Sequence, residues 1–137
     1  MTLKERLKEA RTLAQELEYY RGLLKKQFEE MRAAGLDEDE DGERYLNSEP
    51  FKAWWARSQR WAAELDYLQG LLETGGVSGR HRQVIRLRYY EGLSWEDVAR
   101  RMHYAESHVR RLHEVAIRDM EEAQRWEQMD IDDAEGA

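Results

Sequence analysis

The side chains best suited to bind a charged ligand lie close together between Ser94 and Arg118, in the stretch SWEDVARRMHYAESHVRRLHEVAIR. Two short amphipathic runs follow each other there, and only MHYA separates them. Guanidinium and imidazole groups donate hydrogen bonds to phosphate oxygens and to base edges. The cluster at the start of the second run therefore predicts a surface that binds nucleic acid. Its members are Glu106, Ser107, His108, Arg110 and Arg111.

The elements that position this cluster follow from the apolar spacing, which is that of a helix-turn-helix. Ser94 is expected to cap a first helix, and a second helix is expected from Glu106 to about Ala123. When the two helices pack together, the polar cluster points outward from a helix N-terminus, where unpaired N–H groups favour phosphate. A helix held in this way fits a major groove. The expected inner faces are Val98, Ala99 and Met102 in the first helix, then Tyr104, Val109, Leu112 and Ala116.

Other kinds of site have little support in the sequence. Four histidines lie in the same half of the chain, but they form no i,i+4 pair and no cysteine is present, so zinc is not favoured. His108 is expected to contact a base or a phosphate, and His81, His103 and His113 to be structural or solvated. No nucleophile–base pair, glycine-rich phosphate loop or carboxylate cluster appears. We therefore expect neither an enzyme nor a cofactor or metal site.

The net charge of −7 conceals an uneven distribution of charge. Residues 77–120 carry nine arginines against six acidic side chains. Residues 37–43 hold six acidic side chains, and residues 121–137 hold seven against one arginine. The helix-turn-helix is therefore basic, and the acidic segments lie outside it. Solubilisation is the expected role of those segments, with DNA mimicry or a polymerase contact as alternatives.

The composition predicts an all-α protein of the cytosol. The chain has one proline, no cysteine and long runs of strong helix formers. Its charged, amphipathic N-terminus offers neither a signal peptide nor a membrane span.

The first half predicts an antiparallel helical hairpin with a coiled-coil-like seam. One helix is expected to end near Gly35, and a second to begin at Asn47 or Ser48 and stop at Gly75 and Gly76. Three tryptophans fall between Trp54 and Trp61, more than one hairpin buries, which indicates self-association or docking. The expected seam is Leu3, Leu7, Ala10, Ala14, Leu17, Leu24, Phe28 and Met31 against Trp54, Ser58, Trp61, Leu65, Leu68 and Leu72.

Three parts of the chain follow from these patterns. Residues 1–76 form the hairpin, for oligomerisation or docking, with an acidic loop at 37–43. Residues 77–123 form the helix-turn-helix, in which Gly92 closes a scaffold helix that begins near Ser78. Residues 124–137 form an acidic tail that is expected to be disordered.

The stretch RQVIRLRYYEGLSWEDVARRMHYAESHVRRLHEVAIRDM, residues 82–120, resembles region four of the bacterial sigma factors. The shared pattern is a scaffold helix, a Ser or Thr cap, a short first helix and one long second helix. The resemblance implies double-stranded DNA as partner, and contact with host RNA polymerase. It assigns DNA contacts to the polar cluster starting at Glu106, with Arg88 and Ser94 on the DNA backbone.

The stretch departs from the region-four pattern at three positions. His103 stands where the turn usually has glycine, and Ala105 where Ser or Thr usually caps the second helix. Glu106 replaces a basic residue, so the promoter preference of the family does not carry over. The sequence shows no stretch that resembles regions two and three, so we do not expect a complete sigma factor.

The whole-chain plan is similar to small phage regulators of late operons, of the ArpU and RinA type. The expected function is that of a phage or prophage transcriptional regulator in the bacterial host cytoplasm, acting as a homo-oligomer with a dimer favoured. Two alternatives stay open. One is a DNA-packaging adaptor such as a small terminase subunit, and the other is a module that binds polymerase without touching DNA.

Overall fold

The computed structural model describes residues 1–35 and 38–136, including their side chains except those of 38–41 and 130–136. Helices account for nearly all of this part of the chain, which confirms the all-α prediction. They are α1 (Leu3–Ala33), α2 (Glu38–Leu46), α3 (Glu49–Thr74), α4 (Gly79–Ile85), a π-helical segment (Arg86–Tyr90), α5 (Trp95–Met102) and α6 (Glu106–Gly136).

Helices α1 and α3 form the antiparallel hairpin. Thr2 begins α1 with a capping box, since its hydroxyl accepts from Glu5 N while the Glu5 carboxylate accepts from Thr2 N. Ser48, the second of the two residues predicted to cap α3, accepts from the Phe51 N–H. Three ion pairs then cross between the helices: Arg6–Glu64 at 3.1 Å, Glu9–Arg60 at 2.6 Å and Glu16–Arg57 at 2.7 Å.

One hydrophobic core joins the hairpin to the C-terminal half. Leu7 and Leu68 are 0 % exposed, and they lie in the same cluster as Ile117 and Met120 of α6. Val77, at the junction between the two halves, is buried in that cluster as well. The division near residue 76 stays a prediction, and this cluster spans it, with residues of both halves in one core.

The predicted seam holds at one end of the hairpin and only in part toward the other, where Leu24 is buried as predicted. Leu3, Leu7 and Ala10 are buried as expected, whereas Phe28 is 50 % exposed. Leu13, which lies beside the predicted stripe, is buried. The buried face of α1 differs from the predicted one because α1 contacts α3 along one side and the π-helical segment along another. The prediction of a two-helix seam took only the contact with α3 into account.

Two predictions about the acidic segments are wrong. Residues 38–43, expected in a loop, belong to α2, where the glutamates favour the helical conformation. Helix α6 continues to Gly136 instead of ending near Ala123, because Glu, Gln, Met and Ala favour helix and nothing before Gly136 breaks it. Asp37 and Ala137 lie outside the described residues.

No helix within residues 1–35 and 38–136 is long and apolar enough to cross a membrane.

Candidate nucleic-acid interface

The platform of the helix-turn-helix is the scaffold helix made by α4 and the π-helical segment. It begins after Ser78, as predicted, and its last turn closes when the Glu91 N–H donates to the Arg86 carbonyl at 3.0 Å. Gly92 follows at φ 74°, in the left-handed region. An added Cβ there would lie 3.1 Å from Gln15 Cγ, so glycine also permits the close approach of α1.

The turn of the helix-turn-helix lies where the sequence predicts it. Ser94 caps α5 by accepting from the Asp97 N–H at 3.2 Å. His103 ends α5 in the left-handed conformation at φ 58° and ψ 41°, and the Tyr104 N–H donates to the Ala99 carbonyl at 3.1 Å. Glu106 then begins α6. The break between the two helices is therefore confirmed.

The predicted inner faces pack together in a second hydrophobic cluster. Val98, Ala99 and Met102 of α5 are buried against Val109 and Leu112 of α6. The scaffold contributes Val84 and Leu87. These contacts fix the angle at which α6 leaves the platform.

In the described part of the chain, His113 of α6 is the one polar residue that is buried. Its Nε2 lies 2.5 Å from the Tyr89 hydroxyl, its Nδ1 lies 3.5 Å from Glu114, and its ring meets Trp95 edge-on with centroids 4.8 Å apart. Burial lowers the pKa of His113 from its ordinary value, although Glu114 opposes the shift. Of the two predicted roles, structural or solvated, the structural one applies.

The outer surface of α6 carries the predicted cluster. Glu106, Ser107, Arg110 and Arg111 are exposed, and His108 is half-buried with its ring edge-on to Tyr104 at 4.8 Å. The structure thus brings all five side chains to the first two turns of one helix.

The two arginines of this cluster differ in their freedom. Arg110 donates to the Glu106 carboxylate at 3.0 Å, and its guanidinium lies 5.1 Å from the centre of the Trp95 ring. Arg111 is exposed and forms no hydrogen bond or ion pair with any described residue. Arg110 is therefore held in one orientation, whereas Arg111 is free to reach a phosphate.

The N-terminus of α6 has no side-chain cap, as Ala105 predicts. The Ala105 carbonyl accepts from the N–H groups of His108 and Val109, both at 3.1 Å. The N–H groups before them have no partner in the helix and lie at its positive end. An oxyanion at this end would receive both hydrogen bonds and a favourable dipole.

Arg88 and Ser94 are more constrained than the five residues of α6. Arg88 is half-buried, donates to the Leu93 carbonyl at 2.9 Å, and lies 4.5 Å from the Trp95 ring centre. Burial, followed by repulsion from Arg11, lowers the pKa of Arg88 from its ordinary value. Ser94 is exposed, but its oxygen already serves α5. Their assignment as DNA-backbone contacts stays a prediction.

Sequence reasoning missed the part played by Trp95. Its ring lies between the guanidinium groups of Arg88 and Arg110 and touches His113 edge-on. The available signal was an aromatic residue directly after the Ser94 cap, eleven residues before the start of the arginine-rich helix α6. Arg80 was also missed; it donates to the Tyr104 hydroxyl at 3.0 Å and so joins the scaffold to the turn.

Among the described residues, no group of three or more His, Cys, Asp or Glu side chains is arranged to hold a metal ion.

Residues 75–122 match the family model of sigma-70, region 4. The match confirms the resemblance seen in residues 82–120 and supports a DNA-binding role for this helix-turn-helix. No curated protein and no solved structure matches the chain significantly. The similarity to ArpU- and RinA-type regulators stays a prediction.

Proposed function

We propose that the protein is a sequence-specific DNA-binding transcriptional regulator, encoded by a phage or prophage, that inserts the start of α6 into the major groove. It acts in the bacterial host cytoplasm on an operator or promoter. The observation that carries this proposal is the uncapped N-terminus of α6 with Arg110 and Arg111 exposed beside it, on a platform that matches sigma-70, region 4.

The two arginines have different proposed roles. Arg110, oriented by Glu106 and Trp95, is suited to a bidentate contact with a base edge, most often a guanine. Arg111 is suited to a phosphate. Glu106 would accept from a cytosine amino group or repel a phosphate, and so it acts on sequence preference more than on affinity. His108 and Ser107 lie on the same turns and complete the surface.

A single recognition helix makes few contacts, so a regulator of this kind gains affinity by pairing two of them. We propose that the protein acts as a dimer. Contact with host RNA polymerase through the scaffold face is part of the same proposal, since the region-four match implies such a contact.

Two other functions use the same architecture. A DNA-packaging adaptor of the small terminase type would form a ring of many copies, which light scattering distinguishes from a dimer. A polymerase-binding module would leave DNA unbound. The favoured function is tested by selecting bound fragments from the source genome, then measuring affinity for the selected fragment and for a scrambled one. Equal affinity for the two would contradict sequence-specific regulation.

A further inference from the structure

The far end of the hairpin carries an apolar groove that the helix-turn-helix does not use. It lies between α1 and α3, reaches the Tyr90–Leu93 segment, and has a volume of about 1160 Å³. Seven of its eighteen lining residues are aromatic, among them Phe28, Phe51 and Trp54. Phe28 is 50 % exposed and Tyr19, on the rim, is 64 % exposed, so the apolar surface is open to solvent.

The rim of the groove is charged and partly unpaired. Two basic residues, Arg21 and Lys25, and two acidic residues, Glu18 and Glu91, line it. Glu91 is paired with Arg101, whereas the side chains of Arg21 and Lys25 form no ion pair or hydrogen bond with a described residue. Two polar groups beside the groove, Trp61 Nε1 and the Tyr90 hydroxyl, are buried with no hydrogen-bond partner. Burial raises the pKa of Tyr90 to about 12, so this hydroxyl is neutral at ordinary pH. This end of the hairpin is therefore incomplete within one chain.

The last turns of α6 carry exposed apolar side chains and an excess of acidic residues. Trp126 is 55 % exposed and Met129 is 54 % exposed, three residues apart and so on one side of the helix. Residues 121–137 hold seven acidic side chains and one arginine, and no basic residue lies in the last turn of α6. Negative charge at a helix C-terminus opposes the helix dipole, so this segment gains from a cationic partner.

The same chain does not bring the two surfaces together. Gln124 donates to the Tyr67 hydroxyl at 3.0 Å, which holds this part of α6 against α3 at Tyr67. Trp54 lies thirteen residues away along α3, about 20 Å at 1.5 Å per residue. No residue of α6 lines the groove. A second copy of the chain is therefore the natural source of the missing contacts.

We propose that two copies of this chain dimerise by reciprocal exchange, with the acidic C-terminal turns of α6 from each copy seated in the aromatic groove of the other. Trp126 and Met129 occupy the groove, and the carboxylates of Glu122 and Glu127, which flank Trp126 in the chain, meet Arg21 and Lys25. A two-fold arrangement makes the contact twice, so that two small surfaces add up to one stable interface. This proposal specifies the interface of the dimer in the proposed function and is independent of whether the dimer binds DNA.

The first test measures oligomeric state by light scattering and sedimentation. The full chain is expected to be a dimer, and two double variants are expected to raise its dissociation constant at least tenfold. One is Trp126→Ala with Met129→Ala in α6, and the other is Tyr19→Ala with Phe28→Ala in the groove. All four side chains are at least half exposed, so folding should persist, and helix content measured by circular dichroism checks this.

Matched controls replace exposed apolar residues outside both surfaces. Val115→Ala on α6 and Leu46→Ala at the end of α2 should leave the dissociation constant within about twofold of the unmodified value, since such surface changes are near neutral. A monomeric full chain would overturn the proposal. A dimer that loses affinity with the α6 variant but not with the groove variant would overturn it too, because that result indicates contact between two α6 ends.

The second test uses the absence of cysteine from the chain. A Met129→Cys chain is mixed with a Phe28→Cys chain, and the mixture is oxidised. The expected product is a disulfide-linked pair containing one chain of each kind, whereas each variant alone should cross-link poorly. Cross-linking of Met129→Cys with itself in preference to the mixed pair would contradict the exchange. Neither result depends on DNA binding, which is measured separately with Arg110 and Arg111 variants.

Discussion

The two ends of the molecule handle their apolar residues in opposite ways. At the helix-turn-helix, Val84, Val98 and Val109 are 0 % exposed, and charged groups form the outer surface. At the far end of the hairpin, the large apolar side chains of Phe28 and Trp55 are about half exposed to solvent. The first end buries these apolar residues within one chain and exposes charged groups. The second end is incomplete in one chain, which is typical of a protein interface.

The largest expected effect is the difference in stability loss between a substitution in the buried part of the hairpin and one in its exposed part. Leu7→Ala removes a side chain that is 0 % exposed and should lower the free energy of unfolding by roughly 2–5 kcal/mol. Trp55→Ala, at a side chain 53 % exposed, should change it by less than about 0.5 kcal/mol. Urea unfolding followed by circular dichroism measures both.

The same experiment tests whether the two halves share one core. Because Leu7 and Met120 lie in one hydrophobic cluster, Leu7→Ala should shift a single transition in which the hairpin and the helix-turn-helix unfold together. Two separate transitions, with the C-terminal one unaffected, would show that the halves are independently stable.

The next largest effect on stability is expected from the N-terminal caps of α5 and α6. Ser94→Ala removes the hydroxyl that accepts from Asp97 N and should cost about 1 kcal/mol of stability. Ala105→Ser adds an acceptor at the start of α6 and should gain a similar amount, up to about 1 kcal/mol. Thermal unfolding compares the two variants with the unmodified chain. If Ala105→Ser destabilised the protein, the N-terminus of α6 would not have the geometry described above.

The smallest expected effect is a pH dependence of stability that arises from His113, on the buried face of α6. The pKa of His113 is lower in the folded protein than in the unfolded chain, so its contribution is complete above the unfolded pKa, about 6.5, and is lost as the pH falls through the folded value. Glu114 opposes the shift, whereas Arg88 and Lys4 add to it. The melting temperature should therefore fall more between pH 7.5 and 5.5 in the unmodified chain than in His113→Gln. An equal fall in both would exclude His113 as the cause.

Local patterns predicted the helix-turn-helix well because its determinants are local. Ser94 as cap, His103 in the left-handed region and the inner face at Val109 each depend on residues a few positions apart. The match to sigma-70, region 4, covers the same part of the chain, residues 75–122.

Features that depend on distant parts of the chain were less predictable. Leu13 is buried because the scaffold lies against α1, which a two-helix seam does not reveal. Trp95 lies between Arg88 and Arg110 only once α6 has folded across the scaffold. Charge alone predicts a loop and a disordered tail for the acidic segments, whereas the structure shows helix there, in keeping with the helix propensity of residues such as Glu.

The most direct test of the central claim is a DNA titration of three single variants at several salt concentrations. With a fragment selected from the source genome, Arg110→Ala should cost roughly 1–3 kcal/mol and reduce discrimination against a scrambled fragment. Arg111→Ala should weaken both fragments equally and reduce the slope of log affinity against log salt by about 1. Arg44→Ala, on exposed α2 and equal in charge change, should leave binding unaltered. Unchanged affinity in both α6 variants would contradict the assignment of α6 as the helix that binds DNA.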